Sequence, residues 1–200
     1  MVSFKSITDK YNTPDKHEVT GTTSLKFKED VFNFFYPKSK DQTVVEFGSF
    51  RGHFTQVFSD MFKQVYAVDH VTNHYYDENT KDLTNVTKYI HDLYKQSISK
   101  LNLRDIDVVV IDAVHSYSAV RQDTVSSYNI LKPNGYIIYD DYGAYTEIQH
   151  AVDTMAKENI IMPIKLVGEP KGYSYKEGHE LGASEGVIAQ LVNSDYLLRQ

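Results

Sequence analysis

Residues 107–141 read DVVVIDAVHSYSAVRQDTVSSYNILKPNGYIIYDD, and this stretch decides the fold. A strand with one wet face alternates polar and apolar residues. Val108 to Ile111 is instead unbroken, as expected of a strand covered on both faces in a parallel sheet. SAVRQDTVSSYNIL carries a helical period, and Lys132-Pro133-Asn134-Gly135 predicts its stop. GYIIYDD is a second strand. Strand, helix and strand in succession imply a right-handed crossover between parallel neighbours.

The same alternation extends in both directions. TVVEF (Thr43 to Phe47) is a strand closed by glycine, followed by GHFTQVFSDMF as a helix, VYAVD (Val65 to Asp69) as a strand and NVTKYI as another. Downstream, EIQHAVDTMAKEN reads as a helix. IKLVG and GVIAQLV are two late strands joined by the Gly-rich loop Glu169 to Gly186. No helix separates these two, so they should pair antiparallel at one edge. SLKFKEDVFNFF (Ser24 to Phe35) spaces its apolar residues as a helix that ends at Tyr36-Pro37. The opening stretch to about Gly21 is polar, is broken by Pro14 and reads as an arm or loop. The expected architecture is α/β: a doubly wound, mostly parallel seven-stranded sheet with an antiparallel edge strand and helices on both faces. One domain is expected over residues 1–200, an arm (1–23) leading into a core (24–200).

Composition narrows the function classes. Two hundred residues with 41% hydrophobic and 24% charged residues describe a globular chain of about one domain. With no cysteine there is no disulfide framework, thiolate metal site or thiol nucleophile. A formal charge of −6 argues against a standing nucleic-acid partner or an anionic membrane. No apolar run approaches the ~20 residues of a membrane span, and MVSFKSITDK lacks the apolar core of a secretory signal. The expected location is the cytoplasm. The oligomeric state is open, a homo-oligomer included.

Open α/β sheets bind ligands at the carboxyl ends of their strands. Glu46, Gly48, Ser49 and Gly52 follow the first sheet strand, Asp69 and His70 the second, and Asp92 the third. Asp112 and His115 follow the fourth, Asp140 and Asp141 the fifth. The loop Glu46-Phe47-Gly48-Ser49-Phe50-Arg51-Gly52 lacks the glycines of a dinucleotide fingerprint, Phe50 and His53 standing in their places. No Walker lysine is present either. The loop favours a nucleoside without a phosphate chain. Asp69, about 20 residues on, suits the two hydroxyls of a ribose. Asp92 either meets an adenine amino group or caps the turn that follows it.

These residues resemble the class I S-adenosylmethionine (SAM) dependent methyltransferases. EFGSFRG matches their E/D-x-G-x-x-x-G loop, and VYAVDH resembles their acidic second-strand end. DVVVIDAVHSYSAVRQD followed by LKPNGYIIYDDY resembles a subgroup of small-molecule and sugar O-methyltransferases that carries D-x-x-H-x-Y-x-x-V-x-x-D and then L-x-P-G-G-x-I-x-x-D-D/H-Y. The resemblance runs from about Val44 to Ala156. It departs at Ala113 and Asn134, where glycine is usual. It implies a Rossmann-like core, SAM as cofactor, and Glu46, Gly48, Ser49, Gly52, Asp69, His70, Asp92 and Asp112 around it. The acceptor would be a hydroxyl of a small molecule or sugar.

SAM is already activated, so the protein has to position the acceptor and remove its proton. Asp112, Asp140 and Asp141 offer three carboxylates to a hard cation, which makes Mg²⁺ a candidate second cofactor. His115 is a candidate base beside Asp112, or a ligand, or a structural residue of the loop. Tyr117 and Tyr142 either wall the pocket or pack. His179, Glu180 and Glu185 in the late loop, and His17 with Thr20 to Thr23 in the arm, could close over the site. Without cysteine a cytosine-C5 enzyme is excluded, and Asp112-Ala113-Val114-His115 replaces the D/N-P-P-Y of amino-methylating nucleic-acid enzymes. Three rivals stay open: a metal-dependent nucleotide-sugar transferase, a non-catalytic SAM-binding domain, and an NAD-dependent oxidoreductase.

Overall fold

The computed structural model describes residues 2–170 and 184–192. The β-branched runs become strands because both of their faces find apolar cover. β1 (Thr43–Phe47), β2 (Gln64–Asp69), β3 (Val86–Ile90), β4 (Ile106–Ile111) and β5 (Leu131–Tyr139) pair in parallel. β7 (Gly186–Leu191) runs antiparallel between β5 and β6 (Ile161–Val167). The order is β3-β2-β1-β4-β5-β7-β6. It reverses between β1 and β4, which opens the crevice where such sheets bind ligands. Pro163 cannot donate to a ladder, and it lies in β6, the outermost strand, at a register shift.

Successive residues of β4 enter opposite cores. Val109 and Ile111 join Val45, Phe47 and Ile137 under α5 (Tyr117–Tyr128) and α6 (Thr146–Lys157). Val108 and Val110 join Val44, Val65 and Ile138 under α1 (Phe4–Tyr11), α2 (Leu25–Phe35) and α3 (His53–Met61). The second core is aromatic: Phe27, Phe32, Phe35, Phe54, Phe58 and Phe62 are all buried. Among the described residues no helix is long and apolar enough to cross a membrane.

Three local expectations are corrected. Residues 4–11 of the arm are not loop but α1, opened by a capping box in which Ser3 Oγ accepts the Ser6 N–H at 3.1 Å. Ile7 is buried and Phe4 meets Phe32 at 5.9 Å, so packing holds a helix whose composition is mostly polar. The α5 helix stops at Tyr128, before Lys132-Pro133-Asn134-Gly135. Those residues already belong to β5, because Ile130 and Leu131 are drawn alongside the start of β4, where the Ile106 N–H bonds the Ile130 carbonyl at 3.0 Å. The three-residue excess on β5 appears as a register jump from Ile106–Leu131 to Val108–Tyr136. A short helix between β2 and β3, α4 (His74–Thr80), lies where no helix was expected; Asn73 caps it and Tyr76 anchors it.

Candidate functional site

Gly48 sits at the end of β1 with φ +84°, and a Cβ there would stand 1.9 Å from the Asp112 carbonyl oxygen. Only glycine lets the loops after β1 and β4 approach this closely. Gly52, also at positive φ, begins α3. Between them the Ser49 and Phe50 N–H groups donate to Asp69 Oδ2, each at 3.1 Å, and the Val71 N–H donates to Oδ1 at 3.3 Å. Asp69 therefore shapes the glycine loop from the neighbouring strand. His70 Nδ1 lies 3.3 Å from Asp69 Oδ1.

A cavity of about 210 Å³ opens here, walled by Gly48, Asp69, His70, His91, Leu93 and Tyr94, with Asp112 and Ala113 at its other side. His91 is 5% exposed and its Nε2 has no partner among the described residues; the same holds for Ser49 Oγ in the adjoining loop. Such orphaned buried groups need partners, and a polar ligand would supply them. Asp92 is not in this wall. Its carboxylate takes the Tyr94 N–H at 3.0 Å and pairs with Lys95, which holds its pKa below the ordinary range. Glu46 lies beneath the loop, 3% exposed, accepting the Thr55 hydroxyl at 2.5 Å. Burial pushes its pKa up to about 8.

A second cavity of about 580 Å³ shares Phe50, Asp112 and Ala113 with the first. His115, Asp140, Asp141, Tyr145 and Glu185 form its floor, and Lys16, His17, Thr20, Gly21 and Thr22 from the strap between α1 and α2 cross it. His115 Nε2 lies 3.3 Å from Asp141 Oδ2 and 4.0 Å from Asp112 Oδ1. One ligand atom from each of Asp112, His115 and Asp141 falls within 4.8 Å of the others. Asp141 holds this place at φ +57°, a costly conformation for a non-glycine residue. The expected trio Asp112, Asp140 and Asp141 is thus brought together in part. Asp140 lines the same cavity but is 7% exposed, and its Oδ1 has no partner among the described residues. Burial first, and then the neighbouring carboxylates, push Asp112 and Asp140 well above the usual carboxyl range. A cation would relieve that repulsion, so the donor set fits one. Tyr117 and Tyr142 do not line this cavity, whereas Tyr145 does, its ring tilted against that of His115 with the centroids 4.3 Å apart.

The main residue missed by the sequence reading is Lys28. It is fully buried on α2, and its ammonium donates to the Thr23 carbonyl and, at 3.2 Å, to Thr22 Oγ1. Burial lowers its pKa to about 8, against the pull of Asp140, Glu185, Asp15 and Asp112. Lys28, Val31, Phe32 and Phe35 share one helical face, so a lysine at a core position was the available signal. Glu185 ties the strap from the other side, accepting the Ser24 N–H at 2.8 Å and the Ser24 hydroxyl at 2.5 Å. Lys16 pairs with Glu169. His179 and Glu180 lie outside the described residues.

Residues 45–142 match a family described as a methyltransferase domain. Among curated proteins no match was found. Solved structures with this fold include the O-methyltransferase TomG from Streptomyces achromogenes in complex with SAM (9% identity, TM-score 0.61, 96% of this chain and 88% of that one). They also include the N-methyltransferase NodS from Bradyrhizobium japonicum (12%, 0.58, 83% and 93%) and an rRNA methylase from Streptococcus thermophilus (11%, 0.58, 82% and 95%). At these identities the likeness is one of fold. Their acceptors are an oxygen, a nitrogen and an RNA, so the fold alone does not choose among them.

Proposed function

We infer that this chain, whose residues 45–142 match a methyltransferase domain family, is a class I SAM-dependent methyltransferase that methylates a hydroxyl of a small molecule or sugar. The observation that carries the reading is the meeting of two cavities at Asp112, with Asp112, His115 and Asp141 converging on the second. Glu46, Gly48, Ser49, Asp69, His70 and His91 hold the cofactor. When bound, SAM supplies a methyl group on a sulfonium centre, ready for in-line displacement. Gly48 lets the loop approach closely, Asp69 receives the ribose hydroxyls, and Ser49 and His91 offer their unpartnered polar atoms.

On the acceptor side His115 is the base. Its Nε2 faces the cavity between two carboxylates, which stabilise the imidazolium formed when it takes the acceptor proton. Asp112 and Asp141, with the unpartnered oxygen of Asp140 nearby, would hold Mg²⁺. That ion prefers oxygen donors and would lower the pKa of an acceptor hydroxyl. His115 is then better suited as base than as Mg²⁺ ligand. The −6 charge and the acidic floor favour a small neutral acceptor over a nucleic acid.

The test is transfer of labelled methyl from SAM to a panel of vicinal diols (catechols and sugars), amines and an RNA, each with Mg²⁺ or EDTA. Label in an O-methyl product, lost with EDTA and lost in His115→Ala, is the expected result. Label carried only by amines or RNA would overturn the hydroxyl reading.

A further inference from the structure

Asp123 closes the D-x-x-H-x-Y-x-x-V-x-x-D pattern, yet it lines neither cavity. It lies inside α5 with no exposed surface. Aspartate is a poor helix former, and a buried carboxyl without full hydrogen bonding is expensive. Burial alone pushes its pKa up to about 7. Something must offset this, and its contacts show where. Asp123 Oδ2 accepts the Tyr94 hydroxyl at 2.9 Å, while Oδ1 has no partner among the described residues. The next residue back, Gln122, donates from Nε2 to the Leu93 carbonyl at 2.9 Å. The Val114 backbone lies beside the Tyr94 hydroxyl.

Leu93, Tyr94 and Val114 all wall the smaller cavity. Tyr94 is 38% exposed, so packing alone holds its ring loosely. The Tyr94 hydroxyl joins the turn after β3 to α5, where Asp123 anchors it, with Val114 of the loop after β4 beside it.

We propose that Asp123 is a positioning residue for the cofactor: its carboxyl fixes the Tyr94 hydroxyl and thereby the wall against which the nucleoside end of SAM lies. The inference rests on the reading that SAM occupies this cavity. Asp123 itself does not touch the cofactor.

The test is calorimetric binding of S-adenosylhomocysteine (SAH) to the full chain and to Asp123→Ala, Asp123→Asn, Tyr94→Phe and the double variant D123A/Y94F, with thermal unfolding measured in parallel. Losing one such bond should weaken SAH binding ~10-fold in Asp123→Ala and in Tyr94→Phe. Asp123→Asn keeps an acceptor for the hydroxyl and should stay within ~3-fold of the parent. The double variant should be no weaker than the worse single one, since both remove the same contact. A merely structural Asp123 would lower the unfolding temperature and leave SAH affinity intact; that result overturns the proposal. If Asp123→Ala fails to fold, Tyr94→Phe decides alone: parental affinity refutes the proposal and a ~10-fold loss supports it. If the unaltered chain does not bind SAH, the cofactor reading falls and the proposal with it. If it binds and all variants bind equally, only the proposal falls.

Discussion

Replacing Gly48 with alanine tests the junction on which both cavities depend. The added Cβ would lie 1.9 Å from the Asp112 carbonyl oxygen, 2.6 Å from its carbon and 2.9 Å from Ala113 Cα. Relaxed carbon contacts need about 3.5 Å, so the two loops must part by more than ~1 Å. They cannot part freely. The Asp112 N–H bonds the Phe47 carbonyl at 2.9 Å, and the Gly48 N–H bonds the Val68 carbonyl at 2.9 Å. Overpacking of this kind costs ~1–3 kcal/mol, and a left-handed non-glycine residue adds ~1–2 kcal/mol. The sum, ~2–5 kcal/mol, corresponds to a fall in Tm of roughly 4–20 °C for a chain of this size. Thermal unfolding reads the fall, and titration calorimetry with SAH reads the displacement of Asp112, expected as at least a ~10-fold loss of affinity. A Gly48→Ala protein with Tm within ~2 °C of the parent and unchanged SAH affinity would refute the reasoning.

Further outcomes follow from the buried charges. Glu46 has a pKa raised to about 8, so the native state holds that proton more tightly than the unfolded chain. Stability should therefore fall as pH rises from ~4.5 to about 8, by up to ~4 kcal/mol, and Glu46→Gln should flatten urea midpoints across that window. Lys28 has a pKa lowered to about 8, so between about 8 and 10.5 the unfolded chain binds more protons and stability should rise with pH. Lys28→Met should lose that rise, worth ~3 kcal/mol, and speed amide exchange in the strap from Asp15 to Ser24. Mg²⁺ at about 100 times its Kd should raise Tm by roughly 5–10 °C, and Asp141→Asn should abolish the increase; an equal shift in that variant would remove Asp141 from the cation site.

Most of the sheet was readable because each strand carries its own signal: β-branched runs bounded by glycine, proline or acid, with helical periods between them. What escaped depends on tertiary context. The α1 helix has only Phe4, Ile7 and Tyr11 on its apolar face, and it is held by packing against α2 and α3 rather than by composition. The end of α5 was misplaced because Pro133 and Asn134 look like a stop, although the sheet had already claimed Leu131. In the site, the glycines and strand-end acids declared themselves through spacing. Lys28, His91 and Tyr145 did not, since nothing in their neighbourhood along the chain says which cavity they will face. Asp92 shows the reverse: correct spacing for a ligand contact, with its carboxylate taken by its own turn. Asp140 and Asp141, adjacent in sequence, take different surroundings because the chain turns between them at a positive φ.

The most direct measurement is titration calorimetry of the unaltered chain with SAH, alongside NADH and a UDP-sugar with Mn²⁺. SAH should bind at one site, with affinity lost in Gly48→Ala, and the other two ligands should give no heat. Binding of NADH or the UDP-sugar without SAH would contradict this, and would reduce the glycine loop and Asp69 to features of the sheet alone.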